Sequence, residues 1–534
     1  MKSSTPVSSC KEIECESNEI VTPSVPRYIK WIYRLDSFGI ETRGIERVSP
    51  AERDEIAMST SPYIQTLQVI GLWWAACGGL TSMSSFFLPT LVYSLSLRDS
   101  LISGLISMII GCLVPAYCSM LGPKSGLRQM CQARFLFGQW GVKVVSLIVL
   151  VGGIGWSVVN CVLGGEILRA INGSISLAVG IVVIAVISLV VAVFGIRVLL
   201  KFQTILSVPI LVATILFYVV VCKKTGHLGD ANQMIKDMDI AYSDRAGNWI
   251  SFFTVGYSVT ATWGSGASDY YILFPENTSS TKVFFITFLG IAIPTTFVAV
   301  AGTICGTIAL SYKPWNDAYN NLGTGGLIME TFSSWGTFGK FVTVLLFLSL
   351  ICNNIMNTYS MAFEFQLIDQ HLVFVPRWIW ALVVTAIYII LSLLGREHFS
   401  TILGNFLPML GYWISMYIAL LLEENLIFRS SVKVKRLHEK EFDCDDNTTT
   451  PFYTMYNWNN WNRPRGRTLG LAACLAFCCG VAGAVVGMNQ VYYRGPLADK
   501  IGQYGGDIGM FLAFGFAGIA YPPLRYWELK RFRR

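Results

Sequence analysis

Twelve long apolar stretches alternate with polar segments along the chain, at about 66–95, 100–121, 143–170, 175–195, 202–222, 249–274, 283–310, 338–366, 377–395, 400–422, 468–489 and 507–524. Each meets the roughly 17–25 residues that a helix needs to cross the hydrocarbon core of a bilayer. The pattern therefore predicts an all-α polytopic membrane protein with twelve transmembrane helices. Its least regular parts are the last stretch, which runs into Tyr521-Pro522-Pro523, and the pair at 377–395 and 400–422, parted only by Arg396-Glu397-His398. The polar segments divide the chain into an N-terminal tail (1–65), a ten-helix core (66–422), a hydrophilic loop (423–467), two further helices (468–524) and a short C-terminal tail (525–534). The tail and the stretch from Lys433 to Arg467 read as partly disordered for want of apolar residues.

Twelve spans put both termini on one side. Of the 40 Lys and Arg residues, 29 fall in the tails and loops of that side, eight of them in the N-terminal tail and eight in the 423–467 loop, against 11 on the other side. By the positive-inside bias, both termini are expected in the cytoplasm. Most of the formal charge of +7 is then topological, and with no basic stripe interleaved with stacking aromatics a nucleic-acid partner is not expected.

Composition agrees with lipid as the solvent. Of the 534 residues, 53% are apolar and 14% charged, and the mean hydropathy is +0.53, which excludes a soluble enzyme and a disordered chain. The fourteen cysteines are scattered, mostly inside apolar runs, so free buried thiols are expected rather than a disulfide framework or a metal centre. The first twenty residues hold no apolar core of a cleaved signal. The sequons at Asn172, Asn277 and Asn447 fall in cytoplasmic loops or close to the membrane, so no functional glycan is expected.

Chemistry is sought where spans carry what lipid rejects. The first stretch contains Cys77-Gly78-Gly79-Leu80-Thr81-Ser82, and the sixth contains Trp263-Gly264-Ser265-Gly266-Ala267-Ser268-Asp269. These stretches become equivalent if two five-helix units repeat with inverted topology, at about 66–222 and 249–422. In such transporters the unwound middles offer free N–H and C=O groups to a solute, although small residues also serve close helix packing. Trp156 and Asn160 lie one turn apart in the third stretch, an indole and a carboxamide fit to stack on and hydrogen-bond a flat heterocycle. Asn353, Asn354 and Asn357 crowd the eighth, where three carboxamides need partners or a wet cavity. Among ionisable groups, Asp269 beyond the sixth-stretch break, Glu166 toward the outer end of the third and Glu364 ending the eighth are candidates for ion coupling. The four histidines lie in loops or tails, and Gly323-Thr324-Gly325-Gly326 lacks the Lys-Ser/Thr of a phosphate loop. No enzyme, ATP-driven pump or metal site is expected.

Together these residues resemble the fungal purine-cytosine permease branch of the nucleobase:cation symporter family. The likeness is carried by Gly122-Pro123-Lys124-Ser125-Gly126-Leu127-Arg128-Gln129-Met130, the Gly-Trp-x-x-x-Asn around Trp156, Trp263, Ala267-Ser268-Asp269-Tyr270, Asn353 to Tyr359, and Tyr504-Gly505-Gly506-Asp507-Ile508-Gly509. Stretches such as Gly44-Ile45-Glu46-Arg47-Val48-Ser49-Pro50 and Ser311-Tyr312-Lys313-Pro314-Trp315 look closer to the vitamin B6 permeases within it. The resemblance implies a LeuT-like fold, two inverted five-helix repeats plus two helices, and proton-coupled uptake at the plasma membrane with no cofactor beyond the proton. Carried over residue by residue, it implies substrate contacts at Ser82, Trp156, Asn160, Trp263, Asn353, Met356 and Asn357, with Asp269 or Glu166 in the proton cycle. Met356 stands where the cytosine permeases have proline and Glu166 where a neutral amide is expected. Both departures point from cytosine toward a pyridine bearing hydroxyl and hydroxymethyl groups, the vitamin B6 vitamers. A purine or cytosine permease is the alternative, and a nutrient sensor that signals through its tails belongs to a different class. Neither the oligomeric state nor the stoichiometry follows from the residues.

Overall fold

The computed structural model describes residues 40–534 apart from 42, 370, 398, 431–435 and 443–454. The first 39 residues of the predicted tail, His398 and the sequon at Asn447 lie outside the described residues. All twelve apolar stretches are built around helix. Ahead of them, α1 (Pro50–Ser59) is capped by the Ser49 hydroxyl, which accepts from the Glu52 amide at 3.3 Å.

The first stretch is split into α2 (Pro62–Cys77) and α3 (Leu80–Ser85). The break falls at Gly78-Gly79 because the chain there runs against the eighth stretch: a Cβ on Gly79 would sit 2.1 Å from that of Ser349. The helices that follow are α4 (Leu97–Ser119), α5 (Arg134–Ile171), α6 (Leu177–Val193) and α7 (Ile196–Cys222). The sixth stretch begins as α8 (Tyr242–Ala261) and then narrows into 3-10 turns at Thr262–Ser265 and Ala267–Tyr270. It too loses its helical ladder at a glycine-rich point.

Next come α9 (Ser280–Ser311), α10 (Lys313–Thr331), α11 (Gly336–Ile368), α12 (Arg377–Gly395) and α13 (Phe399–Glu423). The last two helices, α14 (Leu471–Gly487) and α15 (Gly509–Phe532), are joined through a small antiparallel hairpin in which Asn489 faces Arg494. Among the described residues, seven helices are long and apolar enough to span a membrane by length and composition, and α6 and α14 are shorter apolar ones. The pattern of apolar residues missed α10 and the short helix Leu228–Asp237, both amphipathic connections between spans.

Packing holds the described parts of both hydrophilic segments. Described residues 455–467 of the hydrophilic loop are not loose. Asn457 and Asn460 bond Glu441, and Glu441 bridges to Arg429 at 3.0 Å. Arg429 in turn meets Glu424 at 2.8 Å, and Glu424 meets Arg525 at 3.0 Å, so the loop is tied to α13 and α15 by a buried ionic chain. The tail is likewise ordered from residue 43 onward: Arg47 donates to Ser125 O at 2.6 Å, and Arg53 is buried against Pro123 O and Glu276. Low hydrophobicity did not imply disorder here because the charges are paired with one another. Among the described residues the cysteines are all free, most of them buried.

Candidate functional site

The two broken helices meet α5 and α11 around a cavity with about 760 Å³ of space, its open end included. Thr81 and Ser82 of α3 line it beside Trp156 of α5. Trp263, Ser265 and Tyr270 come from the 3-10 turns, and Leu410 and Trp413 from α13. The longest wall is α11, which contributes Asn353, Met356, Asn357, Ser360, Met361 and Glu364. That spacing of three and four is one face of a helix running down the cavity.

Six of the seven residues singled out from the sequence as substrate contacts, Ser82, Trp156, Trp263, Asn353, Met356 and Asn357, are brought together on this wall. Asn160 is placed differently. It is fully buried behind the wall, accepts from the Thr81 hydroxyl at 2.7 Å and donates to Asn353 Oδ1 at 2.9 Å. Asn353 Oδ1 also accepts from Asn357 Nδ2 at 3.2 Å, while its own amide donates to Ala76 O at 3.0 Å, one of the carbonyls freed by the break between α2 and α3. The Leu80 amide across the break donates to Ser349 Oγ at 2.9 Å. Thus α11 supplies the hydrogen bonds that the split helix cannot make for itself. Asn354 turns away from the cavity, its amide 3.4 Å from Tyr388 OH.

Trp263 is backed edge-on by the buried ring of Trp73, with centroids 5.5 Å apart and planes at 83°, and Tyr270 packs on Trp73 at the same distance. This T-shaped stacking fixes the indole that faces the cavity. Trp156 stands on the α5 side and Trp413 on the α13 side, so the cavity has aromatic surface from three different elements and carboxamides from a fourth. Such a site suits a flat, polar ring.

The two carboxylates proposed for ion coupling lie outside the cavity wall. Asp269 is buried at one end of the broken sixth stretch, where it accepts from the Gln129 amide at 2.8 Å and lies 3.9 Å from Arg128. Arg128 also donates to Tyr359 OH at 2.9 Å and approaches Glu41 at 3.5 Å. Glu166 is spent on a connection: the Gly325 amide donates to it at 2.9 Å where α10 breaks at Gly323, whose φ of +66° suits glycine. The third carboxylate, Glu364, does reach the cavity. The sequence could not rank it above the others, because only the packing tells which end of α11 opens inward. Thr81, Tyr270, Ser360 and Trp413 were likewise not separable from ordinary packing residues. Among the described residues no cluster of His, Cys, Asp and Glu suited to a metal is present.

With this geometry in hand, comparison with known proteins gives consistent results. A family profile described as permease for cytosine/purines, uracil, thiamine, allantoin matches residues 64–495. The chain is 47% identical to the vitamin B6 transporter TPN1 of Saccharomyces cerevisiae, over 96% of this chain and 92% of that one. It is 30% identical to the purine-cytosine permease fcyB of Emericella nidulans, over 93% and 90%. Among solved structures it resembles Mhp1, a nucleobase-cation-symport-1 family transporter in a closed conformation with bromovinylhydantoin bound, with a TM-score of 0.62, 13% identity and coverage of 92% and 96%. The last likeness is one of fold.

Proposed function

The chain belongs to the family of permeases for cytosine/purines, uracil, thiamine and allantoin, and from that premise we propose that it is a proton-coupled symporter that carries vitamin B6, as pyridoxine, pyridoxal or pyridoxamine, across the plasma membrane. The observation that carries the choice of substrate is the 47% identity to a vitamin B6 transporter along nearly the whole of both chains, against 28–30% to purine-cytosine permeases of Saccharomyces and Emericella. The cavity chemistry supports the same reading. Trp156 and Trp263 provide faces for the pyridine ring, and Ser82, Asn353 and Asn357 provide hydrogen bonds for its hydroxyl and hydroxymethyl groups. Asn160 acts at one remove, holding Asn353 and Thr81 in place. Met356 fills the wall without a polar atom that would favour one edge of a pyrimidine.

In this reading the ten helices through α13 form two inverted units with α14 and α15 appended, twelve spans in all, and both termini lie in the cytoplasm as the basic residues indicate. Transport proceeds by alternating access, one bundle rocking against the other around the two breaks. Asp269 is the coupling candidate placed between the cavity and the end where the N-terminal segment packs, whereas Glu166, bonded to Gly325, holds the opposite end together.

A second reading, a purine or cytosine permease, is favoured by the wider family. Uptake of labelled pyridoxine and labelled cytosine in cells lacking their own permeases separates the two. Saturable pyridoxine uptake that rises as the external pH falls is the expected result. Saturable cytosine uptake indifferent to excess pyridoxine would overturn it.

A further inference from the structure

Among the described residues that line the cavity, Glu364 is the one carboxylate. It is 5% exposed, and its Oε2 has no hydrogen-bond partner. The Ser146 hydroxyl lies beside it without completing a bond of good geometry. The charged groups that act on it are Asp269, which repels it, and Arg128, which is already engaged with Glu41 and with Asp269 itself. A carboxylate in low dielectric without a partner is costly, and a cationic ligand at its open oxygen offsets that cost.

What could complete it is set by its position. Glu364 faces the same cavity as Asn357, seven residues earlier, which places it about 10 Å further along α11. A pyridine ring whose nitrogen and para substituent are each hydrogen-bonded at about 2.9 Å spans a comparable length. In the dipolar form of a 3-hydroxypyridine near neutral pH the hydroxyl proton resides on the ring nitrogen, which presents a cationic N–H beside a phenolate oxygen, whereas cytosine carries no such charge. A carboxylate is one of the recognised partners of that nitrogen in proteins that bind the pyridoxal ring, and the one that matches its protonated form.

Resting on the reading of the cavity as a vitamin B6 site, we propose that Glu364 is the residue that selects for the substrate's protonated ring nitrogen, accepting its N–H while Asn353 and Asn357 bind the opposite edge. The carboxylate thereby distinguishes a pyridinium from a neutral nucleobase of similar size. The stacking walls alone do not, because every flat ring offers a π face.

The test is competition against labelled pyridoxine in cells expressing the full chain. The two competitors are unlabelled pyridoxine and its isostere in which the ring nitrogen is replaced by C–H. The wild type is expected to bind the isostere about 10- to 100-fold more weakly, the worth of one hydrogen bond to a charged group. In E364Q that ratio should fall to within about threefold, mainly through weaker pyridoxine binding. Equal inhibition by both compounds in the wild type, or an unchanged ratio in E364Q, overturns the proposal. If E364Q fails to reach the membrane, tryptophan-fluorescence titration of the purified wild type and purified E364Q with the same two compounds gives the ratios directly, with the same criteria. Absence of pyridoxine uptake by the wild type, alongside saturable cytosine uptake, would instead bring down the substrate assignment on which this rests.

Discussion

Asn160 of α5 donates to Asn353 of α11 at 2.9 Å, and around that pair three elements are joined: the long third helix, the long eighth helix and the split first helix, whose Thr81 hydroxyl donates to Asn160 and whose Ala76 carbonyl accepts from the Asn353 amide. Asn160 has no surface on the cavity, so its substitution acts on the positions of its neighbours. N160A leaves the Thr81 hydroxyl and one bond of Asn353 unmade in a buried site, a cost of about 1–3 kcal/mol. The expected outcome is a rise of roughly tenfold in the KM for uptake with little loss of maximal rate. N353A should cost more, since it also orphans Ala76 O and the Asn357 amide. The double variant should cost less than the sum of the two single effects, since both remove the same Asn160–Asn353 bond, and a double-mutant cycle on KM checks this. Additive effects would mean that the pair does not act as a unit.

Trp263 and Trp156 predict a contrast between loss of area and loss of an aromatic face. W263A removes a ring held by Trp73, leaving both a hole and an unsupported partner. Uptake affinity should fall by about 10- to 100-fold, as for other stacked rings. W263F keeps a π face and should recover most of that loss. At Trp156 the same pair of substitutions should behave alike, since this indole also faces the cavity. Radiolabelled uptake titrations measure both series, and equal effects of Phe and Ala at both positions would exclude stacking as the role of these rings.

The periodicities that were readable in advance were local ones. Apolar runs gave the helices, the glycines of 78–79 and 264–266 gave the breaks, and the crowding of Asn353, Asn354 and Asn357 marked α11 as a span with polar work to do. What could not be read was pairing between segments far apart in the chain. Nothing in the sequence neighbourhood of Asn160 reveals its bond to Asn353, 193 residues away. Glu166 looked like a buried charge in search of a function until Gly325, 159 residues away, supplied its partner. In the hydrophilic loop, Glu441 and Arg429 satisfy each other only after folding. Charge pairing and cavity lining are tertiary properties, whereas span and break are written in consecutive residues.

Arg128 predicts how the cavity is closed at the end where the N-terminal segment packs. Its guanidinium lies 3.3 Å above the centre of the Phe363 ring, bonds Tyr359 and reaches both Glu41 and Asp269. Glu41 in turn accepts from the Ile196 amide at 3.0 Å and lies 3.8 Å from Arg377. It therefore clasps segments that must part if this end is to open. E41A leaves two buried arginines short of a counter-charge, which should bias the protein toward the open arrangement by about 1–3 kcal/mol. With a cysteine placed in the cavity by S360C, labelling by a polar thiol reagent from this side is expected to speed up about tenfold or more in the E41A background. An unchanged rate, with the protein still folded, would exclude Glu41 from the closure.

His438 carries a prediction about pH that concerns the buried ionic chain rather than the cavity. Burial, reinforced by Arg429 and Arg525, holds its imidazole well below the ordinary value of 6.5, although Glu424 and Glu441 stand on the opposite side of the balance. The folded protein therefore keeps His438 neutral where the unfolded chain takes up a proton. Below pH 6.5 the unfolded state binds more protons, so stability falls as the pH falls, by up to about 1.4 kcal/mol per pH unit from this group. Above 6.5 both states are neutral and the group contributes no pH dependence. H438Q, which cannot titrate, should lose less stability than the wild type between about pH 7 and about pH 5.5. Denaturant titrations of the purified protein at the two pH values measure the difference. Parallel losses in wild type and variant would show that His438 is protonated in the folded state, and that Glu441 and Glu424 outweigh the two arginines around it.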